Sequence, residues 1–233
     1  MNIAICDDNS AHIELLKEQL LKNDFIRDRG RIATFVSPAE ITDNLKAFFD
    51  VFFLDIDMPE LNGIDLGKAI RKLNEHAFIV FFTSYPQFAL DAFDCEAFHY
   101  LLKPIDEHKC SRVLSSLTHK YKRRNKYHLI KIKNQTIRLA ARDIYYIEYC
   151  RRHVIYHLKE KEYETAGKLS DVYDDLRDFG FYQVHQGYIV NMDKIVDFNN
   201  YRIILQDDKT VMMSMRKRAE VLMAYAKYVG VYR

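Results

Sequence analysis

No stretch of this 233-residue chain approaches the roughly 20 consecutive apolar residues of a membrane span; the longest run lies around Ala77 to Phe82. A membrane-crossing helix is therefore not expected. The opening residues, Met1 to Asp8, carry acids where a signal peptide needs an apolar region, which argues against a secretory leader. Cysteine is scarce as well. Cys6, Cys95, Cys110 and Cys150 form no CxxC pair and have no partnered histidines, which excludes a zinc finger and a disulfide framework. They read as buried or free thiols of a reducing compartment, and the chain is expected to be cytoplasmic.

What is present is enough apolar material for two ordinary cores, at 48% of the residues. The net charge of +2 conceals a split. Residues 1–119 hold 12 Lys/Arg against 19 Asp/Glu, whereas residues 126–233 hold 19 against 14. Between them lies the basic run Lys120-Tyr121-Lys122-Arg123-Arg124-Asn125. An acidic front half joined to a basic back half predicts two domains, the second facing a polyanion. The expected boundaries are 1–120, a basic connector at 121–127 that continues the last receiver helix and then becomes a flexible joint, and 128–233.

The front half is organised around Val51-Phe52-Phe53-Leu54-Asp55-Ile56-Asp57-Met58-Pro59, with Asn62-Gly63 close behind. Four bulky apolar residues predict a strand buried on both faces, ending at two carboxylates before Pro and Gly turn the chain into a helix. Similar short apolar runs occur at Ile3 to Cys6, Ile32 to Val36, Phe78 to Phe82 and His99 to Leu102. Helical segments separate them, one capped by Asn9 or Ser10, one opened by Pro38 and one by Pro86. Leu66, Ile70 and Leu73 fall on one helical face after Gly63, and Cys110, Val113, Leu114, Leu117 and Tyr121 line the last helix. The alternation predicts an α/β doubly wound, five-stranded parallel sheet. Ligands in such sheets bind beyond the carboxyl ends of the strands. The first, third, fourth and fifth strands end at Asp7-Asp8, Asp55, Thr83 and Lys103.

Clustered carboxylates are costly to ionise together without a cation, and an all-oxygen set favours a hard ion, Mg²⁺ before others. With such an ion bound, Asp55 is placed to receive a phosphoryl group, Lys103 to offset charge and Thr83 to donate a hydrogen bond. Singly, each residue has a plainer reading. Asp57 fits a solvated turn, Thr83 a helix cap, Lys103 a surface charge and Tyr100 core filling. Their conjunction at the right strand ends is what carries the functional reading. The Asp55-Ile56-Asp57 triplet also resembles the nucleophile motif of haloacid-dehalogenase-type phosphatases, but Met58-Pro59 follows where that motif has x-Thr or x-Val.

The acidic pair after the first strand, D-x-x-M-P-x-x-x-G at Asp55 to Gly63, Thr83-Ser84 and Lys103-Pro104 together resemble a response-regulator receiver domain, of flavodoxin-like fold. The resemblance implies phosphorylation of Asp55 by a sensor histidine kinase. It also implies Mg²⁺ held by Asp8 and Asp55, by Asp7 directly or through water, and by the Asp57 backbone carbonyl. It further implies a cis Lys103-Pro104 peptide and a switch role for Tyr100 coupled to Thr83. Asp57, in addition, is expected on the same rim as Asp55 if the strand pleat persists, where its side chain would adjust the lifetime of the acyl phosphate.

Beyond residue 127 the pattern changes to many short strands with two helices, at about Leu169 to Arg177 and Arg216 to Tyr228, and no helix-turn-helix. The segments Ile144 to Glu148, Phe181 to Asn191 and Ser214 to Arg216 resemble the LytTR DNA-binding domain, a mainly-β fold that reads double-stranded DNA through loops. The resemblance implies contacts from Arg151, Arg152, His153, His185, Gln186, Arg216 and Lys217. Arg and Gln suit guanine and adenine edges, and the other cations suit phosphates. Two departures stand out: Gln183 where the family has Arg, and His185-Gln186-Gly187 where it has H-R-S. His185 reads equally as a packed histidine, and Arg151-Arg152 as a solvated hairpin tip. The whole predicts a non-enzymatic transcription regulator that forms a homodimer on phosphorylation through the Pro86 helix and the last receiver helix, and binds repeated promoter sites. A phosphorylation-gated protein- or RNA-interaction module is the alternative, with a phosphatase behind it.

Overall fold

The structure is a computed structural model and describes residues 1–43 and 49–232. It divides into two compact units, Met1–His119 and Lys120–Arg233.

In the first unit five strands, β1 (Asn2–Cys6), β2 (Arg31–Phe35), β3 (Val51–Leu54), β4 (Phe78–Thr83) and β5 (His99–Leu102), form one parallel sheet in the order β2-β1-β3-β4-β5. Side chains alternate across a strand, so a run with no polar residue must be covered on both sides. That is what happens here. Ala4, Cys6, Phe52, Leu54, Ile79 and Phe81 pack on one face, against Ile41 of α3 (Pro38–Asp43) and Ile64, Leu66 and Ile70 of α4 (Gly63–Leu73). Ile3, Ile5, Val51, Phe53, Val80 and Phe82 pack on the other, against α1 (Ser10–Leu21) and Cys110, Val113, Leu114 and Leu117 of α5 (Glu107–Arg124).

Asn9, one of the two expected caps, starts α1 by accepting from the Ala11 amide, and Asn62 caps α4 by accepting from the Ile64 amide. Several expectations need correction. Leu73, on the apolar face of α4 by spacing, is 71% exposed, because it ends the helix and Asn74 follows. A short helix α2 (Asp24–Arg29) lies in a stretch with too few apolar residues to signal one. The Pro86 helix is two consecutive 3-10 turns, Pro86–Ala89 and Asp91–Cys95. The basic stretch continues α5 to Arg124, as expected, while Arg123, read as part of a solvated joint, is buried among second-unit residues. Its guanidinium donates to Asp193 and to the Tyr228 hydroxyl.

The second unit begins with the hairpin β6 (Tyr127–Ile132) and β7 (Gln135–Ala140). An antiparallel sheet follows, in the order β10-β9-β8-β12-β11, from β8 (Tyr146–Cys150), β9 (His153–His157), β10 (Glu162–Ala166), β11 (Phe181–His185) and β12 (Tyr188–Asn191). A three-stranded sheet, β13 (Ile195–Asn199), β14 (Arg202–Leu205) and β15 (Thr210–Met212), completes the strands. Helices α6 (Leu169–Leu176) and α7 (Arg218–Tyr232) are added to this β scaffold. One core gathers Ile147, Val154, Tyr156, Leu176, Phe181 and Ile189; another gathers Tyr145, Val190, Ile203, Leu205 and Val221. Gly180, at φ 87°, is a position only glycine fills easily: a Cβ there would meet Arg123 Nη2 and the Tyr228 hydroxyl, each at 2.9 Å. The four cysteines are free, and among the described residues no helix is long and apolar enough to cross a membrane.

Candidate functional site

Parallel strands place their carboxyl ends on one rim, and the strand order turns back at β1 and β3. Asp7 follows β1, Asp55 follows β3, Thr83 ends β4 and Lys103 follows β5. The Lys103 ammonium donates to Asp7 Oδ2 and to Asp55 Oδ2, both at 2.7 Å. None of the three side chains is more than 8% exposed. Two buried carboxylates at this range repel, and the cation between them offsets that repulsion. The other carboxylate oxygens are held too: Asp55 Oδ1 accepts from the Ile56 amide at 2.7 Å, and Asp7 Oδ1 from the Asn9 amide at 3.0 Å.

The loop after Asp55 folds back so tightly that a Cβ at Gly63 would lie 1.9 Å from the Asp55 carbonyl oxygen. Any side chain there would displace the loop and Asp55 with it. Thr83 is fully buried, and its hydroxyl has no hydrogen-bond partner among the described residues. A polar atom left so in a close-packed interior is costly unless it has a use. The Thr83 carbonyl accepts from the Lys103 amide at 2.8 Å, and the Lys103-Pro104 peptide is cis. Burial pushes the Tyr100 phenol up to about 12, so it is a donor at neutral pH, and it donates to the Tyr85 carbonyl two residues beyond Thr83.

Two of the sequence-predicted residues stand apart. Asp8 is exposed, and its carboxylate does not join the group that Asp7 forms with Asp55. Asp57 is exposed as well. The strand ends at Leu54, so the pleat does not carry to Asp57, and its side chain accepts from the Tyr85 hydroxyl at 2.5 Å. That hydrogen bond raises the Tyr85 phenol above its ordinary value. His12, which carries no motif signal, is the unforeseen member. It sits in the first turn of α1 with Nδ1 2.9 Å from Lys103 Nζ and 3.4 Å from Asp7 Oδ1.

In the second unit three loops gather at one end of the antiparallel sheet. Arg151 and Arg152 are the two-residue turn between β8 and β9, with Cys150 paired to His153. Both arginines have positive φ, 49° and 70°, where Asn-Gly is the comfortable sequence. Arginine retained in such a turn is strained, and strain of this kind gathers at functional positions. His153 Nδ1 donates to the Arg151 carbonyl and lies 3.5 Å from Glu164, so it braces the turn. It also lines a cleft with Lys131 and Lys133, two cations that sequence reasoning missed because the β6–β7 hairpin showed no motif. The next turn, Gln186-Gly187, is tied to the first by the Tyr149 amide donating to the Gly187 carbonyl at 2.8 Å. His185 Nδ1 accepts from the Gly187 amide at 3.2 Å, which fixes the ring within the turn and leaves Gln186 exposed at the tip. The Ser214 amide donates to the Val184 carbonyl, bringing Arg216 and Lys217 beside β11.

Comparison with known proteins agrees with both halves. Residues 3–114 match the family described as "Response regulator receiver domain", and residues 134–225 match "LytTr DNA-binding domain". Sensory transduction protein LytT of Oceanobacillus iheyensis is 32% identical over 173 residues, 68% of this chain and 70% of that one. The chain belongs to the LytTR response regulators.

Sensory transduction protein LytT of Bacillus subtilis (strain 168) is similar too, 29% identical over 184 residues, 71% of this chain and 75% of its own. Among solved structures, the REC domain of AraT, a response regulator from Geobacillus stearothermophilus, covers 54% of this chain and 98% of its own, at 26% identity and a TM-score of 0.49. A LytTR response regulator is a non-enzymatic transcription regulator, with a histidine kinase as the partner implied by its receiver and DNA by its output domain. The phosphatase look-alike is set aside with that assignment. Receiver domains generally bind Mg²⁺ at an acidic pocket, and the donors here suit one: Asp7 and Asp55 already converge on a cation.

Proposed function

We propose that this cytoplasmic regulator is switched by phosphorylation of Asp55 by a histidine kinase. In that reading the phosphorylated receiver pairs with a second copy, and two LytTR domains engage repeated sites on double-stranded promoter DNA. The observation that carries it is the buried Lys103 ammonium held at 2.7 Å by both Asp7 and Asp55, beside a Thr83 hydroxyl that lacks a partner among the described residues. An incoming phosphoryl group on Asp55 would supply that hydroxyl with an acceptor, and Lys103 would neutralise its oxygens. Mg²⁺, held by Asp7, Asp8, Asp55 and the Asp57 carbonyl, would offset the charge of the carboxylates and the phosphoryl group together. Movement of Thr83 would be felt at Tyr100 through the Tyr85 carbonyl that the phenol holds.

Pairing is supported by the 3-10 turns after Pro86, where Leu90 and Phe93 are 77% and 76% exposed. Bringing two output domains together raises DNA affinity through effective concentration alone. Arg151, Arg152, Gln186, Arg216 and Lys217 would touch the DNA, with His153 and His185 holding their turns in shape as well as facing the duplex. The domain boundaries follow the same reading: a receiver to about residue 120 and a LytTR domain from 128, with 121–127 between them. Footprinting on promoter DNA with and without acetyl phosphate tests the scheme. Wild type should protect spaced repeats more tightly when phosphorylated, and Asp55→Ala should not respond. An equal response from the variant would show that the switch lies elsewhere.

A further inference from the structure

The geometry points to His12 as a metal ligand that gives the acidic pocket a nitrogen donor and a preference for Mn²⁺ over Mg²⁺. The inference rests on the reading that this pocket takes a divalent ion. An ammonium has protons to donate and no lone pair, so the imidazole atom 2.9 Å from Lys103 Nζ can only accept. The Nδ1 lone pair of His12 is therefore aimed at a cation. The same cation is held by Asp7 Oδ2 and Asp55 Oδ2. Lysine has three N–H donors, and these three atoms match them.

Ligand atoms of Asp7, His12 and Asp55 all lie within 4.8 Å of one another. Opposite ligands of one small ion, each at about 2.1 Å, span about 4 Å, so an ion that displaces the Lys103 ammonium from among them needs only small further adjustments of the three ligands. The imidazole is free to make them. Its side chain is 37% exposed, while Asp7 is 3% exposed and anchored by the Asn9 amide. The position is also set by the fold: the Asn9 cap begins α1 immediately after β1, which turns the third helical residue back toward the rim.

The consequence is chemical. A pocket of oxygens alone suits Mg²⁺, which accepts nitrogen ligands poorly and keeps its waters. An imidazole suits Mn²⁺ and the later divalent ions better, and affinity for them rises along the Irving–Williams series. His12 thus tilts a site of otherwise hard ligands toward a borderline ion.

Electron spin echo spectroscopy of Mn²⁺ bound to the full chain reads the ligand directly. Wild type should show ¹⁴N modulation of the imidazole type. His12→Gln should still bind Mn²⁺ but lose that modulation, with its Mn²⁺-over-Mg²⁺ preference reduced about tenfold. Asp7→Asn should remove the pocket ion altogether, and circular dichroism of both variants checks that they fold. If wild type binds Mn²⁺ in a manner abolished by Asp7→Asn yet shows no imidazole nitrogen, His12 is not a ligand, while the acidic pocket stands. Modulation that survives His12→Gln overturns the inference equally. If no Mn²⁺ binding depends on Asp7, the pocket reading fails together with it.

Discussion

At the scale of single residues, the pocket is a set of side chains each held by a neighbour, and the pair at its mouth is the most telling. Asp57 and Tyr85 close on each other at 2.5 Å, and Tyr85 also holds the Tyr100 phenol through its own carbonyl. If this pair screens an acyl phosphate on Asp55 from water, Tyr85→Phe should speed phosphate loss by roughly two- to tenfold, the worth of one hydrogen bond. Asp57→Ala should do the same, and the double variant no more than either. Decay of ³²P-labelled protein measures it, and additive effects would dissolve the coupling.

A second residue-scale test concerns Asp175, which takes Lys126 at 2.5 Å and His128 at 2.6 Å. Partial burial raises its carboxyl, but those two hydrogen bonds outweigh that and hold it below its ordinary value of 3.8. A depressed carboxylate stabilises the fold above that value, and its contribution is lost as pH falls through the lower, folded-state pKa. Asp175→Asn should therefore be less stable than wild type at neutral pH, the gap narrowing below pH 3.8. Chemical denaturation across the acid range follows it.

At the scale of elements, the β8–β9 turn sets stability against recognition. Two arginines in the left-handed region cost about 1–2 kcal/mol each relative to residues at ease there. Replacing Arg151-Arg152 with Asn-Gly should raise the unfolding free energy of the second unit by about 2–4 kcal/mol while weakening DNA binding. The slope of log affinity against log salt should become shallower by about 0.9 for each phosphate that is no longer neutralised. Unchanged affinity would return these arginines to the status of a hairpin tip. The strands of both units were legible because apolar runs of the right length ended in Asp, Thr, Lys-Pro or turn residues. What escaped was whatever depends on a partner distant in sequence. His12 lies five residues past Asp7 with no motif between them, and only the β1–α1 turn brings it to Lys103. The direction of Asp57 hinged on where β3 stops. The 3-10 turns after Pro86 have no periodicity to announce them.

At the scale of the molecule, an acidic receiver precedes a basic output unit, and the charge asymmetry suits a regulator whose second half approaches DNA. Composition alone does not show how the stretch between them is held. Lysines and arginines in sequence look solvated, but long basic side chains bury their stems, and Arg123 finds both a carboxylate and a phenol. Lys120, Lys122, Arg123, Arg124 and Lys126 are also the densest set of trypsin sites in the chain. A protease must draw its substrate out into an extended strand before cutting, and this segment is wound as helix through Arg124 with its central arginine enclosed. Brief digestion of the native protein should therefore spare the place where a two-part regulator is ordinarily expected to be clipped.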